Sequence, residues 1–390
     1  MNRAWETVNL GDICRITSSK RIFAKEYRTS GVPFYRGKEI IEKHNGRKVS
    51  NELYISKERY EEIRNKFDVP KKGDILLSSV GTLGVAWLVD EDEFYFKDGN
   101  LTWLRCNEKM IPGFLYLWLN SPSARNQINA MCIGSTQKAL TIETLKNFLV
   151  ELPPIETQKR ICRIIDPISN KIKTNNQINK NLLQQAGAVF DKFYEESSNQ
   201  QSFTSFIRVL GGGTPKTGNS DFWNGPIPFF TPKDVGVPYT FQTEKHITES
   251  GLAHCNSRLY QKDTTFVTAR GTVGKVSLAG TPMAMNQSCY ALVSDVTDPL
   301  LVYFYVLKAV ASLKHKASGA VFDAIVTRDF DSETINLLSD NDSKSVLSII
   351  RPMMEAIHNN SKENIRLVAL RDSLLPRLML GELDVSKVDL

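Results

Sequence analysis

Residues 161–193 read ICRIIDPISNKIKTNNQINKNLLQQAGAVFDKF, and residues 346–378 read VLSIIRPMMEAIHNNSKENIRLVALRDSLLPRL. In the first stretch Ile161, Ile165, Ile168, Ile172, Asn175, Asn179, Leu182, Ala186, Val189 and Phe193 follow one another in alternating steps of four and three. That spacing is the seam of a coiled coil. The second stretch repeats it as Val346, Ile350, Met353, Ile357, Asn360, Asn364, Leu367, Arg371, Leu374 and Leu378, and only Arg371 against Ala186 breaks the chemical correspondence. One such stripe is what any amphipathic helix packed on its own domain shows; two matched stripes favour a pair of helices.

Working outward, the rest of the chain also repeats. Gly134 matches Gly319, Ala139-Leu140 matches Ala324-Ile325, Pro167 matches Pro352, and Asn175 and Asn179 match Asn360 and Asn364, all at one constant separation. Further forward the separation drifts. Asn100 is paired with Asn286, Gly81-Thr82-Leu83-Gly84 with Gly271-Thr272-Val273-Gly274, and Val32-Pro33-Phe34-Tyr35 with Ile227-Pro228-Phe229-Phe230. A period this long means two domain-sized copies and excludes a solenoid. The front of each copy carries short β-like runs, such as Asp74 to Ser78 and Thr264 to Thr268, punctuated by Gly, Pro and Asn.

Amides on an apolar seam cost stability unless they meet partners, and they typically set register. Only the short polar stretch Ser197–Ser202 separates the first helix from the second globular part. The second helix must therefore run back along the first, which brings Asn175 and Asn179 opposite Asn364 and Asn360. The expected seam contacts are Ile165, Ile172, Asn175, Asn179 and Leu182 against Ile350, Ile357, Asn360, Asn364 and Leu367. The expected fold is α+β: two similar globular α/β domains joined by two long antiparallel coiled-coil helices, an internal repeat with an approximate two-fold axis near the asparagines and one globular part at each end. The expected boundaries are a first globular part at 1–153, a central helix at 154–198, a second globular part at 199–338, a distal helix at 339–380 and a tail at 381–390. A helix of roughly forty residues rising about 1.5 Å per residue reaches about 60 Å, an upper bound on the spacing it can impose. Pro167 and Pro352 either kink these helices or sit in their first turns.

Composition bounds the remainder. A chain of 390 residues has material for two or three domains. Cys14, Cys106, Cys132, Cys162, Cys255 and Cys289 are scattered, without the paired spacing of a zinc site, and read as idle thiols of a reducing compartment. His254-Cys255 is the nearest approach to a ligand pair, and it lacks distant partners. With no leader and no apolar run of spanning length, the reading is a soluble, cytoplasmic protein without a membrane contact. The net charge of +6 permits a polyanionic partner without requiring one.

Catalytic patterns fail on spacing. Gly271-Thr272-Val273-Gly274-Lys275 lacks the Walker glycine and the hydroxyl that must follow its lysine, since Ala269 and Val276 stand there. Asp342-x-Lys344 is a fragment of a nuclease-like pattern and reads as helix charge. Leu152-Pro153-Pro154-Ile155 lacks the Asn or Asp of an amino-methyltransferase motif. What remains are loops rich in Gly, hydroxyls and cations, able to approach phosphates and base edges. The candidate DNA contacts are Lys20, Arg36, Lys38, Thr82 and Lys138 in the first copy, and Thr214, Lys216, Thr231, Lys233, Arg270, Thr272, Lys275, Asn286 and Gln287 in the second. For any one of them a tight turn between strands is an equal reading. Asn286-Gln287 reads equally as an adenine contact and as a capped turn. Val80 stands opposite Arg270 and Val85 opposite Lys275, so the two copies would contact DNA differently.

Several segments together resemble one family. They are Ile227-Pro228-Phe229-Phe230-Thr231-Pro232-Lys233-Asp234-Val235, the run Gly73 to Gly84, Leu152-Pro153-Pro154-Ile155-Glu156-Thr157-Gln158-Lys159-Arg160-Ile161, and the ending Leu374 to Leu383. The chain resembles the DNA sequence-specificity subunit of type I restriction-modification systems over nearly its whole length. The resemblance implies two target-recognition domains, each reading one half of a split sequence in double-stranded DNA. It implies that the helices space the half-sites and dock two modification (methyltransferase) subunits, with restriction subunits joining the assembled complex. It implies no catalysis, metal or cofactor in this chain; S-adenosylmethionine, ATP and Mg would serve the partner subunits. The first copy has Thr17-Ser18-Ser19-Lys20 where the second has Gly211-Gly212-Gly213-Thr214-Pro215-Lys216, and Leu337-Leu338-Ser339-Asp340 replaces a Pro-Pro turn before the second helix. The competing readings are a two-headed protein-interaction scaffold and, further off, a nuclease or methyltransferase with an unfamiliar site.

Overall fold

The structure, a computed structural model, describes residues 5–46, 49–50, 53–90, 93–131, 139–316 and 324–385. It divides into two compact units, Met1–Lys173 with Arg366–Leu390, and Thr174–Ile365.

In the first unit the apolar run Ile75–Ser78 becomes a strand buried on both faces. It lies inside a four-stranded antiparallel sheet ordered Cys14–Thr17, Leu101–Cys106, Ile75–Ser78, Ala86–Leu88. Side chains alternate across a strand, so Ile75, Leu77 and Leu104 join one core with Phe114, Leu115 and Trp118, while Leu76 and Trp103 join another with Trp87, Phe94 and Phe96. A three-stranded sheet pairs Val32–Tyr35 antiparallel to Leu53–Ile55 and parallel to Tyr95–Phe96. A two-stranded ribbon joins Glu6–Asn9 to Leu149–Leu152.

The second unit repeats this plan strand for strand. Arg208–Gly211, Cys289–Val293, Thr265–Thr268 and Val276–Ala279 form the equivalent sheet, extended by Tyr239–Thr240 as a fifth, parallel strand. Trp223–Phe230 pairs with Lys245–Ile247 and Ala284–Met285. Gln200–Ser202 pairs with Thr334–Asn336.

Backbone hydrogen bonds set the correspondence between copies, and they correct one pairing read from sequence. Ser79 N–H donates to Asn100 O, and Ala269 N–H donates to Ser288 O. Asn100 therefore corresponds to Ser288. The partner of Asn286 is Lys97, because Lys97 N–H donates to Tyr35 O as Asn286 N–H does to Phe230 O. The loop between these points is one residue shorter in the second copy, which hides the equivalence from an alignment by residue identity.

The long helices span Ile155–Glu196 and Asp340–Met379. Both run through their prolines, Pro167 and Pro352, which are exposed. On that face water can satisfy the carbonyls a proline leaves without a donor. The second helix starts on a serine cap: Asp342 N–H donates to Ser339 Oγ (3.1 Å), and that hydroxyl donates to Asp342 Oδ2 (2.7 Å). Asp342 is thus the acidic member of a capping turn.

No seam residue on either helix is exposed. Ile161 and Ile165 share the first unit's core with Leu375, Leu378 and Met379, whereas Ala186 and Phe190 share the second unit's core with Val346, Ile350, Met354 and Ile357. Each unit's core therefore takes the opening part of one helix and the closing part of the other. Within the second unit Asn175 lies beside Asn364 and Asn179 beside Asn360, an antiparallel register. The Asn175 amide donates to Glu363 Oε2 (2.7 Å) and Asn364 Oδ1 (2.9 Å), Asn360 donates to Asn179 Oδ1 (2.9 Å), Asn179 to Ser361 Oγ (3.2 Å) and Asn364 to Asn176 Oδ1 (2.8 Å).

Among the described residues no helix is long and apolar enough to cross a membrane. His254 Nδ1 contacts Ser250 O and the Cys255 thiol contacts Leu252 O, and no cluster of potential metal ligands occurs among the described residues.

Candidate nucleic-acid interface

The second unit gathers its loops around an open cleft of about 540 Å³, lined by Thr231, Pro232, Lys233, Glu244, Lys245, Arg270, Gly271, Thr272, Asn286 and Ser288. Five of the residues singled out from sequence, Thr231, Lys233, Arg270, Thr272 and Asn286, thus share one wall-to-wall site although they come from three separate loops.

Each loop is held by its own local chemistry. The Thr231 N–H and hydroxyl both donate to Asp234 Oδ2 (2.8 and 2.6 Å), and the other Asp234 oxygen accepts from Glu244 N–H (2.8 Å). One carboxylate therefore ties two walls of the cleft together. In the Arg270 loop, Gly271 and Gly274 adopt φ of +81° and +71°, and the matching Gly81 and Gly84 adopt +79° and +73°. A left-handed backbone at two positions of each turn explains why Gly-Thr-x-Gly appears twice. The Thr268 hydroxyl donates to Thr272 O, and the Thr272 hydroxyl donates to Pro232 O (3.2 Å), which pins this loop to the Thr231 loop. Behind the turn, Lys314 Nζ donates to Gly274 O (2.5 Å); burial and the nearby Lys275 charge hold its pKa below the usual lysine range.

The cleft's cations differ in freedom. Lys233 is 82% exposed and stands 3.7 Å from Glu244, an ion pair of little strength in water. The Lys245 ammonium lies 5.6 Å from the Trp223 ring centre. Arg270 is exposed, and among the described residues its guanidinium has no hydrogen-bond or ion-pair partner. Asn286 Oδ1 accepts from Ser288 N–H (3.0 Å), the capped turn foreseen as one of its two roles, and the Gln287 amide oxygen accepts from the Thr214 hydroxyl. Each of these oxygens keeps a second lone pair, and among the described residues the two amide N–H groups make no hydrogen bond. Lys216 and Lys275 are exposed outside this lining. Gly212 sits so close to Asn286 that a Cβ would lie 2.1 Å from its carbonyl oxygen, and one on Gly213 would lie 2.5 Å from Asn256 N, so these two glycines serve packing.

In the first unit the same positions carry other chemistry. Arg36 occupies the place of Thr231 and forms a two-point ion pair with Glu39 (2.7 and 3.2 Å), whose side chain is 0% exposed. The Glu39 carboxylate beside it raises the Arg36 pKa above its ordinary value. The pair neutralises a buried acid while leaving the Arg36 side chain 31% exposed. Lys38 is exposed, 4.0 Å from Glu42. Thr82 is exposed at the turn tip, and Lys20 places its ammonium 4.4 Å from the Phe67 ring centre. Lys138 lies outside the described residues. Lys97 and Lys245 were not singled out from sequence. Lys245 is found only through the strand register that sets it opposite Phe229, and Lys97 only through its bond to Tyr35.

Two copies of one strand-and-loop plan, each packed on parts of both long helices, define a duplicated protein in which differing loop side chains sit on a common frame. The chain belongs to the family of type I restriction modification DNA specificity domains, whose model matches residues 2–184 and again 201–367. It is 24% identical to the type I restriction enzyme HindI specificity subunit of Haemophilus influenzae, over 97% of this chain and 99% of that one. It is also similar to two further relatives, from Haemophilus influenzae and Methanocaldococcus jannaschii, 32% and 28% identical over 162 residues; the chain spans 39% and 38% of their length. The crystal structure of a type I restriction-modification S subunit from M. genitalium shares the fold, with a TM-score of 0.62, 14% identity and 97% coverage of both chains.

Proposed function

We propose that this chain reads a bipartite sequence in double-stranded DNA for a type I restriction-modification enzyme, one half-site per unit. The observation that carries the reading is the second unit's cleft, where Lys233, Lys245 and Arg270 meet hydroxyls and a free amide on a rigid loop frame. Exposed cations on fixed turns are suited to phosphate contact, and Arg and Asn to base edges. The helix pair would act as spacer between half-sites and as the docking surface for two modification subunits, with restriction subunits joining that assembly. S-adenosylmethionine, ATP and Mg would be used in those partners.

The test is affinity for duplex DNA carrying the target, measured across salt. Each phosphate neutralised by Lys or Arg contributes a slope of about −0.9 to log affinity against log salt. A slope of several units is expected. A flat plot, or no duplex affinity with or without a methylating partner, overturns the reading in favour of a protein-binding scaffold. Inserting whole turns into both helices near the paired asparagines should lengthen the unread gap in the methylated motif.

A further inference from the structure

The two units present one backbone and two chemistries at a single point. Arg270 in the second unit and Val80 in the first each follow a strand end locked on both sides. Ser79 and Ala269 donate to Asn100 and Ser288 (2.9 and 2.8 Å) and accept from Leu140 and Ile325 N–H (2.9 Å each). Val80 and Arg270 then bridge to Ala139 and Ala324. Beyond them Gly84 and Gly274 close the same turn onto Ser78 and Thr268 (2.8 Å each). A side chain on such a frame has a fixed origin and direction, which is the requirement for discriminating among bases. At this point the second unit holds out a guanidinium that is exposed and, among the described residues, unpartnered. The first unit leaves a valine 45% exposed beside the exposed Gly81 and Thr82, and among the described residues it belongs to none of the apolar clusters.

We propose that Arg270 and Val80 are paired specificity determinants: Arg270 reads a guanine through its O6 and N7 acceptors, and Val80 reads a thymine through its methyl group. Guanine is the base whose major-groove edge offers two acceptors to a guanidinium fork, and the thymine methyl is the apolar feature of that groove. The proposal rests on the DNA reading above and adds to it a named base for each half.

The test uses the full-length protein and a pool of duplexes randomised over the binding region, with bound sequences selected and read. The wild type should enrich a two-part motif with a guanine required in one part and a thymine in the other. Arg270→Ala should lose that guanine and keep the rest of the motif, with the preference over other bases falling roughly tenfold to a hundredfold. Arg270→Lys should weaken the guanine preference less than Arg270→Ala does while keeping its charge, because an ammonium can still donate to O6 or N7 but lacks the planar fork. Val80→Arg should abolish the thymine requirement, and replacing that thymine by uracil should weaken the wild type more than Val80→Ala, whose side chain reaches the methyl with less apolar surface. If Arg270→Ala instead weakens all sequences alike and lowers the salt slope by about one, Arg270 is a phosphate contact and the proposal is overturned. A guanine preference retained in full by Arg270→Ala, or indifference of the wild type to uracil, overturns it too. Because both side chains are exposed, the variants should melt as the wild type does. A wild type that enriches no motif, either alone or with a methylating partner, overturns the DNA reading itself, a different result from each of these.

Discussion

Arg36 and Thr231 occupy one position and show how similar sequence can hide different work. Each precedes an acid by three residues, and each acid accepts its backbone N–H at 2.8 Å. Thr231 completes its turn with a hydroxyl, whereas Arg36 completes its own with a charge on the fully buried Glu39. Removing one partner of a buried pair strands the other, so Arg36→Ala should cost about 3 kcal/mol in stability, read by chemical denaturation. A loss of DNA affinity at unchanged stability would show that Arg36 is a contact and not a brace. Asp74 offers a pH-dependent case. Its carboxylate accepts from Trp103 Nε1 and Lys71 N–H (2.8 Å each), yet burial raises its pKa above the ordinary carboxylate range. A carboxyl held protonated more tightly when folded weighs against the native state once pH exceeds its unfolded value, and that cost disappears in acid. Asp74→Asn keeps an acceptor for both donors. It should raise the melting temperature at pH 7 and lose that gain towards pH 4; a gain that persists or grows in acid would contradict the assignment.

At the scale of the element, the seam was legible because steps of three and four residues are a local property of the chain, and the antiparallel register followed from amide chemistry and a short connection. Asn175 shows the cost of this arrangement: it is 0% exposed, and its side-chain amide oxygen has no hydrogen-bond partner among the described residues. Asn364→Leu should lose about 1 kcal/mol by removing an acceptor from a buried amide. Asn175→Leu with Asn364→Leu should recover that loss or exceed the wild type, since apolar pairs replace a buried polar group at little cost. Melting of the single and double variants decides this, and a double variant worse than both singles would show that the amides stabilise as well as align. Sheet elements were less legible. The strands at Ile75–Ser78 and Thr265–Thr268 were visible as apolar runs, but the pairing of Asn286 with Lys97 was not, because strand register depends on partners far away in sequence.

On the scale of the whole molecule, the helices are not a separate layer. The division at Lys173 and Ile365 cuts through both of them, and each half is packed into the core of its own unit. Two cores on one chain should melt as two calorimetric transitions. Ile350→Ala, at a fully buried site of the second core, should lower one transition by about 3 kcal/mol and spare the other; Leu378→Ala, in the first core, should do the reverse. A single transition lowered equally by both would mean that the helices fuse the units into one cooperative body.

Sequence alone determined the duplication, the paired helices with their asparagine register, and membership of the specificity family, because repeats, heptad spacing and motif order are written along the chain. Only tertiary structure decided which cations share a cleft, that Arg36 braces a buried acid, and that Lys97 and Lys245 belong among the candidates. Those outcomes depend on hydrogen bonds between strands distant in sequence, and a one-residue change in loop length shifts them without altering local pattern.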